Sequence, residues 1–289
     1  METSFSAVSP AAVGSPDLSP VETGSPPAAP AAPTAAASYD EKVDFNRSLM
    51  SGRTTGTQIR VQTGIVRRSL SFTQDVYHRM RTLQTNDYVV RADAAIYPTF
   101  AESAIGGRIG LIGGFEAAYA GTAHDANFDH DYSVTYSEVF GGLRARYPLR
   151  ESLFGFNVAV GHLSAGLDDA GTSGTPDVGY TDVRSSFDFA FAIERFRATV
   201  GAGFRVPLSY GEISEQEWFP RVGGYALEGS LSGSYLLTKA LSLDLSTSWR
   251  RFVLEMNSAP EDSEGGISET AGGAVDSYLG AYLGISLAL

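Results

Sequence analysis

The sequence predicts an all-β protein, a transmembrane up-and-down antiparallel β-barrel of about ten strands over residues 57–289, preceded by a disordered tail. Three observations predict it. The last eleven residues alternate strictly, with Leu279, Ala281, Leu283, Ile285, Leu287 and Leu289 on one side and Gly280, Tyr282, Gly284, Ser286 and Ala288 on the other. The same two-faced pattern recurs nine times upstream. Summed over these segments, the charges fall on one face and the large apolar residues on the other, as required when one face meets lipid and the other a polar lumen.

Composition agrees. Mean hydropathy is -0.06, and no run approaches the ~20 apolar residues that a spanning helix needs. Any crossing is therefore by strands. The 32 glycines, 16 Phe and 14 Tyr against 4 Met favour β-structure. The absence of cysteine excludes disulfides, thiolate chemistry and cysteine metal sites. A net charge of -12 with no basic cluster argues against nucleic acid as a partner.

Residues 1–38 are a different polymer. Seven of the 13 prolines lie there among Ala, Ser, Thr and Gly, with little apolar surface to offset chain entropy. This segment is expected to be a disordered periplasmic tail, either a spacer or a tether to a periplasmic protein. No basic start followed by an apolar core is visible in it, so the expectation is that a leader lies upstream or has been removed. Residues 39–56 are more mixed and read as a linker, short helix or plug.

The strands then follow in order. The first, about 58–72, sets Ile59, Val61, Thr63 and Ile65 against Arg60, Gln62 and Gly64, with a slip at Val66–Arg68 that reads as a bulge. The second, about 87–97, opposes Val90, Ala92, Ala94 and Ile96 to Arg91 and Asp93. The third, about 107–120, opposes Ile109, Leu111, Phe115, Ala117 and Tyr119 to Arg108 and Glu116. The fourth, about 132–147, opposes Val139, Leu143, Ala145 and Tyr147 to Glu138, Arg144 and Arg146. The fifth, about 153–164, has Phe154, Phe156, Val158 and Val160 facing away from Gly155 and Asn157. In the sixth, about 181–194, Val183, Phe187, Phe189, Phe191 and Ile193 oppose Asp182, Arg184, Asp188 and Glu194. The seventh, about 197–210, carries Val200, Phe204, Val206 and Leu208 opposite Arg197 and Arg205. The eighth, about 223–237, opposes Tyr225, Leu227, Leu231 and Tyr235 to Glu228 and a row of serines. The ninth, about 240–254, opposes Leu241, Leu243, Leu245 and Trp249 to Asp244 and Arg250. The tenth is the terminal strand, which must close the barrel against Ile59–Ile65.

Connections after strands two, four, six and eight read as short, and those after one, three, five, seven and nine as long. That alternation is expected of a barrel with periplasmic turns and external loops, both termini being periplasmic. Aromatics near strand ends, including Tyr97, Tyr119, Tyr147, Phe154, Tyr210, Tyr225, Tyr235 and Trp249, fit interfacial girdles.

On these features residues 57–289 resemble the small outer-membrane β-barrel proteins of Gram-negative bacteria. Tyr282, Gly284, Ile285, Leu287 and Leu289 resemble that class's C-terminal assembly signal, with Leu289 where an aromatic is usual. The resemblance implies outer-membrane lipid, lipopolysaccharide and the outer-membrane assembly machinery as partners. The omptin proteases are also ten-stranded barrels. Asp129-His130-Asp131 resembles half of their site, but residues 211–220 contain no Asp-x-His to complete it.

The expected functional set is therefore the inward charges Arg60, Arg91, Asp93, Arg108, Glu116, Glu138, Arg144, Arg146, Asp182, Arg184, Asp188, Arg205, Glu228, Asp244 and Arg250. Such charges would largely neutralise one another by pairing and fill a narrow lumen. No catalytic residue, metal site or cofactor is expected. The acidic loops read as a solvated rim, because none has calcium-loop spacing. A structural or interaction barrel is the leading expectation, a narrow channel past Gly280, Gly284, Ser286 and Ala288 the alternative.

Overall fold

A computed structural model describes residues 56–73, 82–98, 108–125, 130–149, 152–168, 176–215, 219, 221–256 and 272–289. The expectations for residues 1–55, for Asp129 of Asp129-His130-Asp131 and for the acidic residues Asp169, Glu217, Glu261, Asp262, Glu264 and Glu269 lie outside the described residues. Ten strands follow one another: β1 Gly56–Phe72, β2 Thr82–Tyr97, β3 Ile109–Asp125, β4 His130–Leu149, β5 Ser152–Leu167, β6 Val178–Ile193, β7 Phe196–Ser209, β8 Val222–Leu236, β9 Leu241–Met256 and β10 Gly273–Ala288. Each pairs antiparallel with its neighbours in sequence, and β1 pairs with β10, so the sheet closes into a barrel without edges. The expected fold class is met.

Closure occurs at the expected place. Ile59 lies opposite Leu287, Val61 opposite Ile285, Thr63 opposite Leu283 and Ile65 opposite Ala281. The seam ends on two backbone bonds, Thr57 N–H to the Leu289 carbonyl at 3.1 Å and Leu289 N–H to the Thr57 carbonyl at 2.8 Å.

The barrel is inside-out relative to a soluble protein. Leu111, Leu143, Val160, Phe187, Leu231, Leu245, Leu279 and Leu283 stand exposed on its exterior, while Glu116, Glu138, Asp182, Arg205 and Arg250 are buried within. A soluble monomer rarely exposes a continuous apolar surface of more than a few hundred Å². This exterior is a lipid-facing belt. Leu143 sits near its middle, between Leu111 of β3 and Val158 of β5. Leu143→Arg is expected to cost about 2–4 kcal/mol in urea unfolding from lipid vesicles. A cost near zero would mean that the face does not meet lipid.

Several local expectations are corrected. β1 has no bulge, since its ladders to β2 and β10 run in unbroken register through Val66–Arg68. The hydrophobic pattern inverts there instead, with Val66, Arg68, Leu70 and Phe72 buried inside and Arg67 bonded outside to Gln84 at 2.9 Å. Register shifts lie instead in β3, against both β2 and β4 close to Tyr119, and in the β6–β7 ladder at Thr181–Asp182. Loop lengths alternate less cleanly than expected, because β3 and β4 run on until only 126–129 join them, whereas 98–108 join β2 to β3. Glu194 is not in the lumen: it occupies the β6–β7 turn in the left-handed region at φ 52° and is exposed. Tyr97 is no girdle residue, being 4 % exposed inside the bore. Tyr210 likewise turns inward, its ring edge-on to Tyr180 at 6.3 Å.

The connections after β2, β4, β6 and β8 lie at the same end as Gly56 and Leu289, here the turn end. The connections after β1, β3, β5, β7 and β9 lie at the opposite, loop end.

Candidate functional site

Alternation places every second residue of each strand in the bore, and strand register stacks these residues into three levels.

The middle level is a charged layer built around Glu138 of β4. Its Oε1 accepts hydrogen bonds from Arg184 Nη1 of β6 at 3.1 Å and Arg205 Nη1 of β7 at 2.8 Å, and its Oε2 accepts one from Arg250 of β9. Arg205 also reaches Glu228 at 2.7 Å and Asp182 at 3.3 Å. Arg250 donates to Glu116 at 3.1 Å and to the Tyr136 hydroxyl at 2.6 Å, while Tyr136 donates to Glu116. On the β2 wall Arg91 pairs with Asp93 at 2.9 Å and lies 4.0 Å from Glu116. Seven strands thus meet across the bore through ion pairs and charge-assisted bonds, which hold because each carboxylate faces at least one guanidinium.

Toward the loop end the described inward side chains are mostly aromatic and aliphatic and packed together, with Thr85 and Asp87 buried beside them, Thr85 donating to Asp87 at 3.0 Å. Tyr180 stacks on Phe252 with centroids 4.0 Å apart, Phe252 meets Tyr278 at 6.1 Å, and Tyr278 meets Tyr136 at 5.9 Å. One ion pair is embedded here. Asp276 of β10, 0 % exposed, accepts from Arg68 Nε at 3.0 Å and Nη2 at 3.1 Å, and from the hydroxyls of Tyr180 at 3.0 Å and Tyr278 at 2.8 Å. Above it the chain between β7 and β8 folds into the mouth as a 3₁₀ turn, Gly211–Ser214. That turn is fastened by Ile213 N–H to the Asp177 carbonyl at 3.3 Å and by Asp177 N–H to Glu212 at 2.9 Å. It buries Ile213 completely, and Phe219 packs on Phe72 at 5.9 Å.

Toward the turn end the lumen is hollow. A cavity of about 370 Å³ has the charged layer as its floor and opens past Lys239, Ala240 and Ala288. Small side chains make this room, including Gly201, Ser230, Ser232, Ser246 and Ser248 on its walls. Arg144 pairs with Asp188 at 2.6 Å, Asn157 donates to Asp188 at 3.2 Å, and the Arg146 guanidinium lies 3.3 Å from the centroid of the Tyr97 ring. Arg60 reaches Ser286 at 3.4 Å, and the Ser286 hydroxyl donates to Asp244.

The inward charges expected from sequence are therefore distributed over two levels. Glu116, Glu138, Asp182, Arg184, Arg205, Glu228, Arg250, Arg91 and Asp93 form or flank the charged layer. Arg60, Arg144, Arg146, Asp188 and Asp244 lie lower, in or beside the cavity. Arg108 stands apart, half-buried immediately before β3 at the turn end. Paired charges do not fill the lumen as expected: aromatic and aliphatic side chains fill one end, and the other is open. The route expected past Gly280 and Gly284 is occupied, because Tyr282 turns its ring against Gly64 and Gly280 and Gln62 lies on Gly284. Of the C-terminal residues singled out, Tyr282 and Gly284 face inward, while Ile285, Leu287 and Leu289 are exposed. Sequence reasoning missed Asp276, Tyr136, Tyr180 and Tyr278. Extending the terminal strand's period backward from Gly280 would have found Tyr278 and Asp276 on the inner face.

No protein-family model matches this chain, and no curated protein matches it. Among solved structures, the outer membrane protease OmpT from Escherichia coli is 8 % identical, covering 81 % of this chain and 97 % of that one, with a TM-score of 0.45. The transport unit of the autotransporter AIDA-I from Escherichia coli is 13 % identical over 88 % and 98 %, with a TM-score of 0.41. An outer membrane channel from Pseudomonas putida F1 is 11 % identical over 82 % and 96 %, with a TM-score of 0.39. The likeness to outer-membrane β-barrels expected from sequence is present at the level of fold, and none of these proteins transfers a site or an activity to this chain.

Proposed function

We propose that this chain is a non-conducting outer-membrane β-barrel, a structural or interaction component of the cell envelope, non-enzymatic, with its turn end toward the periplasm. The observation that carries this reading is the unbroken stack across the bore, from the Glu138 layer through Tyr180, Phe252 and Tyr278 to Ile213 and Phe219. A solute would have to break a buried ion-pair network, at a cost of about 3–5 kcal/mol for each pair parted, and prise open a packed aromatic cluster. In this reading the belt sits in outer-membrane lipid and lipopolysaccharide, and exposed Ile285, Leu287 and Leu289 are offered to the assembly machinery. The tail over residues 1–38 reaches a periplasmic protein.

The test is electrical. Purified protein with heat-modifiable gel migration is expected to give no resolved current steps in a planar bilayer. Reproducible steps would sink the closed-lumen reading in favour of a narrow channel.

A further inference from the structure

The hollow end of the lumen has a charge its setting does not explain. The whole chain carries a net charge of -12, yet among the described residues nine cationic side chains line this cavity against four carboxylates. Carboxylates behind the lining narrow the excess: Glu116 and Asp182 are bonded to Arg250 and Arg205, and Asp244 lies close to Arg197. The excess remains concentrated at the mouth. Among the described residues, Arg60 of β1 and Arg144 of β4 act on Arg197 of β7 as like charges and Asp244 of β9 as the opposing one. Among the described residues neither Arg60 nor Arg197 makes an ion pair. Deeper in, Arg184 is 9 % exposed, and its Nε and Nη2 have no hydrogen-bond partner. Guanidiniums brought together from separate strands in a confined space repel one another, and unmatched donors cost free energy. An anion between them relieves both.

We propose that this cavity binds a small free anion bearing carboxylate or phosphate groups, entering from the turn end. This rests on the closed-lumen reading, which makes the cavity a blind pocket instead of one stretch of a conduit. About 370 Å³ lies within the range of small-molecule sites. Planar guanidinium forks match carboxylate and phosphate oxygens two at a time. Arg197 and the terminal nitrogens of Arg60, whose Nε donates to Ser286, supply forks at the mouth, and Asn157, Ser230 and Ser246 supply neutral hydroxyl and amide groups along the wall.

Isothermal titration of the full chain, refolded in a non-ionic detergent and a chloride-poor buffer, tests this with citrate and inorganic phosphate as probes. Saturable binding of at least one probe is expected, weakening as salt is added. Arg60→Gln/Arg197→Gln should weaken it by about tenfold or more, through lost charge-assisted bonds. Arg67→Gln/Arg251→Gln, which alters two arginines on the outer face, should leave it unchanged. Each variant is first checked for heat-modifiable migration, so that loss of binding is not loss of fold. Absence of binding for both probes, or binding indifferent to the Arg60/Arg197 change, would overturn the proposal. Binding seen only with phosphatidylglycerol micelles would overturn it too, in favour of a lipid headgroup. The bilayer test separates this outcome from the parent reading: silence without anion binding removes the site and keeps the closed lumen, whereas current steps remove the closed lumen whatever the titration gives.

Discussion

Asp276→Leu is expected to destabilise the barrel by about 3–5 kcal/mol in urea unfolding from vesicles, because it strips a buried cation of its counter-ion. Arg68 is 1 % exposed and has Asp276 as its ion-pair partner at 3.0 Å, while the Tyr180 and Tyr278 hydroxyls bond to the same carboxylate. The substitution would leave a guanidinium and two hydroxyls among Phe252, Leu70 and Val66, all buried from solvent, without the carboxylate that satisfied them. The pair itself is a different quantity. Arg68→Met/Asp276→Leu removes both charges and is expected to recover most of the loss, since an apolar replacement of similar volume suits that surrounding. If the double variant were as unstable as the single one, the aromatic cluster would depend on the ion pair for its geometry, not merely tolerate it.

Glu138→Leu is expected to cost a comparable ~3–5 kcal/mol, for a reason that is collective. Glu138 is bonded to three arginines. Without it Arg205 keeps Glu228 and Asp182, and Arg250 keeps Glu116, but Arg184 loses the ion pair that holds it. Three guanidiniums would then face one another across the narrow bore. Adding Arg184→Met to Glu138→Leu should therefore restore part of the stability, whereas Glu138→Gln, which retains an acceptor, should fall between wild type and leucine. Unfolding midpoints measured in the same vesicles rank the three, and a ranking with glutamine below leucine would contradict the charge-layer account.

The lipid-facing half of this molecule was legible because lipid constrains every second residue. Phe187, Phe189 and Phe191 stand outward, with Asp188 between them inward, and no other environment asks for that arrangement over ten segments. The inward half was legible only as a set. Glu138 and Arg250 are 112 positions apart, and they meet because five intervening ladders carry β4 and β9 to opposite walls of one ring. Spacing along the chain does not encode which charges face across a lumen. Nor does uniform alternation extend past the belt. Where β1 leaves the lipid its exterior meets water and its interior meets the aromatic cluster, so Arg67 points out and Val66 points in, and an alternation rule reads the inversion as a defect. The same inversion hid Asp276, since the six residues of β10 before Leu279 lack the apolar-out signature.

The hollow turn end was not foreseen because it depends on volumes rather than on polarity. Gly201, Ser230, Ser246 and Ser248 leave space, while Tyr136, Tyr180, Phe252 and Tyr278 take it up, and both groups occupy inward positions. A count of inward charges treats the two ends alike.

The central claim, that the bore is closed by a charged layer and an aromatic cap, is tested most directly by single-channel recording. The full chain and Tyr180→Ala/Phe252→Ala/Tyr278→Ala are compared in planar bilayers at equal protein per membrane, after both show heat-modifiable migration. The account expects silence from the first and, once the cap is hollowed, brief low-conductance openings from the second. Stable, reproducible steps from the unaltered protein, equal to those of the variant, would contradict it.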